Sequence, residues 1–122
     1  MTTANDKKYE LKLDKTKQIL FAKALGSFGP ADADDFVRDY TIILKPVNAK
    51  EYELQFDCKE LKVSGKDTKS GVDMTNMLRG CLEMYKKEGF KNVVFDCTKN
   101  IVLKMQLQRL CKEAGLSTAT VK

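Results

Sequence analysis

Two aspartates are the best-placed chemical groups in the sequence. Asp57 and Asp96 stand in the similar tetrapeptides FDCK (56–59) and FDCT (95–98), each at the end of a segment that predicts a strand. The carboxyl ends of parallel strands are the edge where α/β sheets place ligands, so two carboxylates there could bind a cation or act as acid and base. The simpler interpretation is that each accepts backbone N–H hydrogen bonds from the loop that follows. We favour it because neither a third oxygen ligand nor a phosphate loop accompanies them.

The chain contains four cysteines and no histidine. Without histidine, the chain alone cannot build a Ser-His-Asp or Cys-His nucleophile or a Cys/His zinc site. The cysteines form no C-x-x-C pair and lie in apolar patterns, which indicates reduced, buried thiols rather than nucleophiles or metal ligands: Cys58, Cys81, Cys97 and Cys111. We therefore predict a protein without metal or cofactor. We also predict that it is not an enzyme, because without histidine catalysis would have to rely on Asp, Glu, Lys, Tyr or Cys.

The net charge of +5 and the pI near 9.0 raise the alternative of nucleic-acid binding. The lysines near the N-terminus alternate with acidic residues, however, and no basic run is interleaved with aromatics that could stack on bases, so nucleic acid is an unfavoured partner. No apolar stretch approaches the ~20 residues that span a bilayer. Residues 1–8 lack the apolar core of a signal peptide. We expect a cytoplasmic protein with no membrane contact and a flexible N-terminus over residues 1–8.

Apolar periodicity predicts one domain over residues 9–122, with elements in the order ββαβαβαβ. Strands are predicted near 9–13, 18–25, 52–58, 91–97 and 117–121, and helices near 30–46, 72–88 and 101–114. A short polar link between the first two strands favours an antiparallel hairpin, whereas strands that alternate with helices are expected to be parallel. The predicted fold class is therefore α/β, with a mixed, mostly parallel sheet and about three helices.

The same periodicity predicts several details of the helices. Asn100 is expected to cap the third helix, and Gly89 and Gly115 are expected to end the second and third helices in the left-handed conformation. Met84 falls away from the buried stripe of its helix and is the better surface candidate. The other methionines of the helices are expected to fill the core: Met74, Met77 and Met105.

The polar segment 59–71 after the third strand is the most informative loop. It contains neither G-x-x-x-x-G-K-[ST] nor G-x-G-x-x-G, so nucleotide binding by these motifs is unsupported. Ser70 stands just before the second helix, where the helix dipole would stabilise an added phosphate and present it to a partner. The simpler role, which the residues alone favour, is that Ser70 or Asp73 caps the helix.

The order of elements and the segment TKSGV (68–72) resemble the STAS domain of the bacterial anti-sigma-factor antagonists, the SpoIIAA-like fold. That family carries D-S-S-G-[LV] after its third strand, so Ser70 stands at the position of its regulatory phosphoserine, with Thr68 in place of Asp and Lys69 in place of the first Ser. The resemblance implies a non-enzymatic regulatory or scaffolding module that binds another protein, typically a kinase-like anti-sigma factor. The implied partner surface comprises Ser64, Lys66, Ser70, Asp73, Asn76 and Arg79.

Two alternatives to a protein-binding module stay open at this level. One is a nucleic-acid-binding domain that uses the dispersed basic surface. The other is a small-ligand binder or enzyme at the carboxyl ends of the strands, which would use Asp57 and Asp96. The sequence leaves the oligomeric state open, a homodimer being compatible with it.

Overall fold

The computed structural model describes residues 9–27, 30–62 and 74–122. The N-terminus predicted to be flexible, residues 1–8, lies outside these ranges, as do four residues of the predicted partner surface: Ser64, Lys66, Ser70 and Asp73. Within the described ranges, none of the helices has the length and apolar character needed to cross a bilayer.

The elements follow one another in the predicted order, with one addition. The strands are β1 (Tyr9–Asp14), β2 (Ile19–Ser27), β3 (Glu53–Lys62), β4 (Asn92–Asp96) and β5 (Ala119–Val121), and the helices are α1 (Pro30–Leu44), α2 (Met74–Glu88) and α3 (Ile101–Ala114). A short 3-10 turn, Ala49–Glu51, precedes β3. The protein is an α/β protein, as predicted.

The five described strands form one sheet in the order β1-β2-β3-β4-β5. β1 pairs antiparallel with β2 and every later pair is parallel, which confirms the predicted mixed sheet. Because consecutive parallel strands are neighbours throughout, right-handed crossovers put α1, α2 and α3 on the same face. Burial agrees with this arrangement, since Leu54 is fully buried while its neighbours Glu53 and Gln55 on the opposite face stay partly exposed. We call the opposite face the open face.

One apolar core fills the space between the sheet and the helices. Alternate residues of β2 are buried between positions 20 and 24, as the period of a strand requires. Aromatic rings join the two layers: the ring centroids of Phe36 in α1 and Phe56 in β3 lie 5.5 Å apart, and those of Tyr85 in α2 and Phe95 in β4 lie 6.3 Å apart. These ring contacts fix both α1 and α2 over the sheet.

Both predicted glycine caps are confirmed. Gly89 and Gly115 have φ values of 78° and 71°, in the left-handed region that side chains with a Cβ adopt at a cost. Their backbone N–H groups donate to the last turns of α2 and α3, with N···O distances of 3.2 Å from Gly89 to Tyr85 and from Gly115 to Lys112. α2 and α3 therefore end where the sequence predicts, whereas α1 ends at Leu44, two residues early.

The third strand is longer than predicted. After Asp57, two residues of β3 oppose one of β2, which is a β-bulge, and the two strands then pair again from Leu25 opposite Glu60 to their ends. The prediction that a loop begins at Lys59 is therefore wrong, because backbone pairing with β2 extends a strand whose side chains are polar. Asp57 lies within β3 and not at its end.

Two of the methionine predictions are also wrong. Met105 is 65% exposed, because the buried residues of α3, such as Leu103 and Leu107, lie on the other side of the helix. Met84 is half-buried and packs against the core, because the end of α1 and the segment after it cover that side of α2. Met77 is half-buried, and the side chain of Met74 lies outside the described part of the structure.

The hydroxyl of Tyr40 is buried and has no hydrogen-bond partner among the described residues. Only 1% of this residue is exposed. Burial, with a smaller effect from the charge of Glu88, raises the pKa of Tyr40 above its ordinary value, so the phenol keeps its proton. A buried donor without an acceptor costs about 1–3 kcal/mol.

We expect Tyr40→Phe to fold normally and to raise the free energy of unfolding by about 1 kcal/mol, because the ring remains and the unpartnered hydroxyl is removed. Tyr9→Phe is the matched control: the Tyr9 hydroxyl donates to Asp39, and losing that bond should lower the free energy of unfolding by about 1 kcal/mol. Urea denaturation of both variants measures the difference. A Tyr40→Phe protein less stable than the wild type would show that the hydroxyl makes a bond.

Candidate functional site

Asp57 and Asp96 lie side by side on the open face of the sheet. The parallel ladder between β3 and β4 pairs them directly. Their side chains are 16% and 39% exposed, respectively. The structure therefore brings the two predicted ligand-binding carboxylates together, although only Asp96 ends its strand.

Each aspartate accepts a hydrogen bond from the backbone N–H two residues further on. The N···O distance is 3.1 Å from Lys59 N to Asp57 Oδ1 and 3.1 Å from Thr98 N to Asp96 Oδ1. The Thr98 hydroxyl also donates to Asp96 Oδ1, at 2.7 Å. These are the bonds that the simpler interpretation predicted, and they hold the backbone at the bulge of β3 and at the end of β4.

The ammonium group of Lys59 lies between the two carboxylates. Its Nζ is 3.8 Å from Asp57 Oδ2 and 4.0 Å from Asp96 Oδ2, so it takes the place that a bound cation would occupy. Hydrogen bonds from Thr98, aided by the charges of Lys59 and Lys122, lower the pKa of Asp96. An acid that delivers a proton near neutral pH needs the opposite shift, a raised pKa. The arrangement is therefore an internally compensated ion cluster.

A shallow groove of about 400 Å³ runs over this cluster on the open face. Its walls are mixed: Phe21 and Val94 are apolar, whereas Gln55 and Lys122 are polar. No group of three or more His, Cys, Asp or Glu residues is placed to hold a metal ion in the described ranges. A small ligand in the groove would meet charges that already have partners.

The thiols of Cys58 and Cys97 lie behind the carboxylates, on the core face of the same two strands. The thiol–thiol interaction with Cys97, together with burial, raises the pKa of Cys58, and the same interaction lowers the pKa of Cys97. Only 2% of Cys58 and 1% of Cys97 are exposed. Burial also raises the pKa of Cys81 and of Cys111 to about 11. Cys58, Cys97 and Cys111 are buried, as predicted, whereas Cys81 is half-buried. A raised pKa, as in Cys58, Cys81 and Cys111, is a property of structural thiols, and burial keeps the thiol of Cys97 from solvent.

The side chain of Asn100 ties the end of β3 to the start of α3. Its Nδ2 donates to the backbone oxygens of Cys58 and Leu61, both at 2.8 Å. Asn100 occupies the N-cap position of α3, as predicted, but its side chain makes no cap hydrogen bond. β3 runs beyond the last residue of β4, so its carbonyls there lack a strand partner and the amide of Asn100 replaces it.

Asn76 and Arg79, the two described residues of the predicted partner surface, belong to a contact between helices. Arg79 Nη1 donates to Asn76 Oδ1 at 2.8 Å, and Arg79 Nη2 lies 3.0 Å from Glu113 Oε1 in α3. Gln106 of α3 also donates to Thr75 of α2, at 3.2 Å. Arg79 therefore holds α3 against α2, although 44% of its side chain stays exposed.

Three large apolar side chains at the start of α3 are exposed to solvent. The exposed fractions are 68% for Ile101, 81% for Val102 and 65% for Met105. At 100° per residue these three lie within one side of the helix, opposite Leu103 and Leu107. We call Ile101, Val102 and Met105 the α3 apolar patch. We did not predict this patch, although the helical phase set by Leu103 and Leu107 places it on the exposed side of α3.

The α3 apolar patch lies at the carboxyl edge of the sheet. α3 follows β4, so its first turn stands at the ends of the parallel strands, next to the contact between Asn100 and β3. The bond between Gln106 and Thr75 places the start of α2 beside the second turn of α3. Arg79, which contacts Glu113, lies further along, beside the last turn of α3.

Comparisons with known proteins give no family assignment. A scan against protein-family models finds no model that matches the chain, and a search of the curated proteins finds no match either.

We expect the ion cluster to matter for stability in acid. The pKa of Asp96 is lowered from its ordinary value of 3.8, so its contribution is present above that value and is lost as the pH falls through the lower, folded-state pKa. Asp96→Asn keeps an acceptor for Thr98 but cannot titrate, so its unfolding free energy should fall less than that of the wild type between about pH 5 and pH 2.

Thr98→Val should raise the pKa of Asp96 in an NMR titration, because the hydroxyl that donates to the carboxylate is removed. An unchanged titration would contradict the assigned cause.

We expect Asn100→Ala to lower the free energy of unfolding by about 1–3 kcal/mol, because two backbone carbonyls lose their donor. Amide hydrogen exchange over residues 58–62 should accelerate, since the end of β3 would be held by β2 alone. Asn92→Ala is the control for the loss of an exposed asparagine, with an expected change within about 0.5 kcal/mol. Equal stability changes in the two variants would show that Asn100 does not tie β3 to α3.

Proposed function

We propose that the protein is a non-enzymatic module that binds another protein in a regulatory or scaffolding role, as the resemblance to anti-sigma-factor antagonists implies. The observation that carries the proposal is the α3 apolar patch. Single exposed apolar residues are common on protein surfaces, whereas neighbouring ones on one side of a helix are typical of interaction sites. The patch contributes nothing to the core, so its apolar character needs another explanation than folding.

The surface around the patch indicates the chemistry of the partner. The exposed side of α3 continues beyond Met105 with Gln108, Arg109 and Lys112, so an apolar first turn is followed by a basic half. Arg109 lies 3.8 Å from Glu113, an exposed ion pair of little strength. An acidic groove with an apolar floor would accept such a helix, with Met and Arg as the residue types that interfaces favour.

Other features of the protein support a protein partner over the alternatives. Nucleic acid binds through clustered cations, and an apolar patch would leave phosphates without partners. The carboxylates that a catalytic site would use are compensated by Lys59. A kinase-like anti-sigma factor is the partner that the family resemblance implies, with Ser70 as the residue through which phosphorylation would regulate binding.

The test replaces Ile101, Val102 and Met105 together by Ser. We expect binding to the partner to weaken at least about tenfold, which corresponds to about 1.4 kcal/mol, while the melting temperature stays close to that of the wild type because the three side chains are exposed. Ile42→Ser is the matched control, since Ile42 is 63% exposed on α1. Chemical crosslinking in lysate of the source cells, followed by mass spectrometry, identifies a candidate, and binding to that purified protein is then measured for all variants.

Each outcome bears on the proposal. A purified partner that binds the wild type and Ile42→Ser but not the triple variant supports it, and a change of affinity with Ser70→Asp would extend it to regulation. Equal binding by all variants overturns it. Sedimentation with vesicles that contain phosphatidylserine, lost in the triple variant and without any protein partner, would assign the patch to a lipid surface instead.

A further inference from the structure

The core contains a cavity of about 60 Å³ between α1, α2 and the sheet. Ala24 of β2 and Ala33 of α1 border it, together with Cys58 and Leu61 of β3 and with Met77 and Cys81 of α2. Protein interiors are close-packed and hold few voids larger than a water molecule. Two small alanines facing the same space explain why this core does not fill it.

The cavity wall is almost entirely carbon and sulfur, and this decides what can occupy it. A water molecule in a buried site needs two to four polar partners, which the wall does not offer. A charged group would lose its hydration without compensation. Only an uncharged apolar group gains free energy by entering, at roughly 25 cal/mol per Å² of apolar surface removed from water.

The volume sets the size of the occupant. It is several times the ~10–15 Å³ that a cavity needs to hold one water molecule, and it is well below the ~150 Å³ of an engineered cavity that binds benzene or xenon. The occupant therefore has to be a small, compact group. Met77 and Cys81 border the cavity and are only half-buried, so the side formed by α2 offers the shortest path from solvent. Met is flexible and gives way easily.

We propose that this cavity is a binding site for a small, uncharged aliphatic molecule, which enters past Met77 and lies between Ala24, Ala33 and Leu61. The proposal rests on no part of the protein-binding function. The cavity and the α3 apolar patch share no residue, so each can be tested while the other is left intact.

Xenon is the probe, and the methionine methyl groups report its position. In protein with 13C-labelled methionine methyls, rising xenon pressure should shift the Met77 signal in a saturable way. The signals of Met84 and Met105 serve as internal controls, since neither residue borders the cavity. Butane should act like xenon, whereas butyrate should leave Met77 unshifted because its carboxylate would be buried without a partner.

Ala33→Leu is designed to fill the cavity. It should reduce the xenon-induced shift of Met77 at least tenfold and raise the melting temperature, whereas the matched variant Ala31→Leu, at an exposed position of α1, should keep the full shift. If Ala33→Leu does not fold, Ala24→Val fills the same space from β2. A Met77 signal that does not saturate, or a shift that survives in the folded filled variant, overturns the proposal. The triple Ser variant of α3 should give the wild-type shift.

Discussion

In the described part of the chain, helices cover only one face of the sheet, and this constraint decides where the other described groups lie. With the described strands in chain order, each crossover returns to the same side, so the strands share one layer of helices. Alternation along β3 and β4 then sends Phe56 and Phe95 into the core, with ring centroids 6.1 Å apart. It sends Asp57 and Asp96 to the open face. Each Phe-Asp dipeptide, at 56–57 and at 95–96, therefore supplies an aromatic ring to the core and a carboxylate to the open face.

An uncovered sheet face has to remain compatible with water, and here opposite charges on neighbouring strands keep it so. Lys59 bridges the two aspartates, and Lys23 of β2 lies 3.6 Å from Glu60 of β3. Exposed pairs of this kind contribute at most about 1 kcal/mol each, so they do little to hold the fold. Their effect is to place lysines beside carboxylates, with one lysine against two aspartates in the first group and one against one glutamate in the second. The net charge of +5 therefore does not form a basic field there.

The helical layer exposes apolar side chains that the fold does not need, and it leaves part of the core unfilled. One side of α3 packs through Leu103 and Leu107, and yet Ile101, Val102 and Met105 are exposed on the other. Inside the core, space next to Ala24 and Ala33 stays unfilled. Neither feature adds to stability, because exposed apolar groups gain nothing on folding and a void forfeits dispersion contacts. At both places, the binding of another molecule would bury apolar surface and so gain free energy.

The sequence by itself determined the α/β class and the order of the elements. It also determined the glycines that end α2 and α3, and the hydrogen bonds that Asp57 and Asp96 accept from the backbone of the following residues. These follow from periodicity and from contacts within a few residues of the chain, which a sequence displays directly. Only the tertiary structure decided the length of β3, the contact of Asn100 with β3 and the position of Lys59. Each of these depends on which distant element lies alongside and where it ends, and the spacing of residues within one element carries no such information.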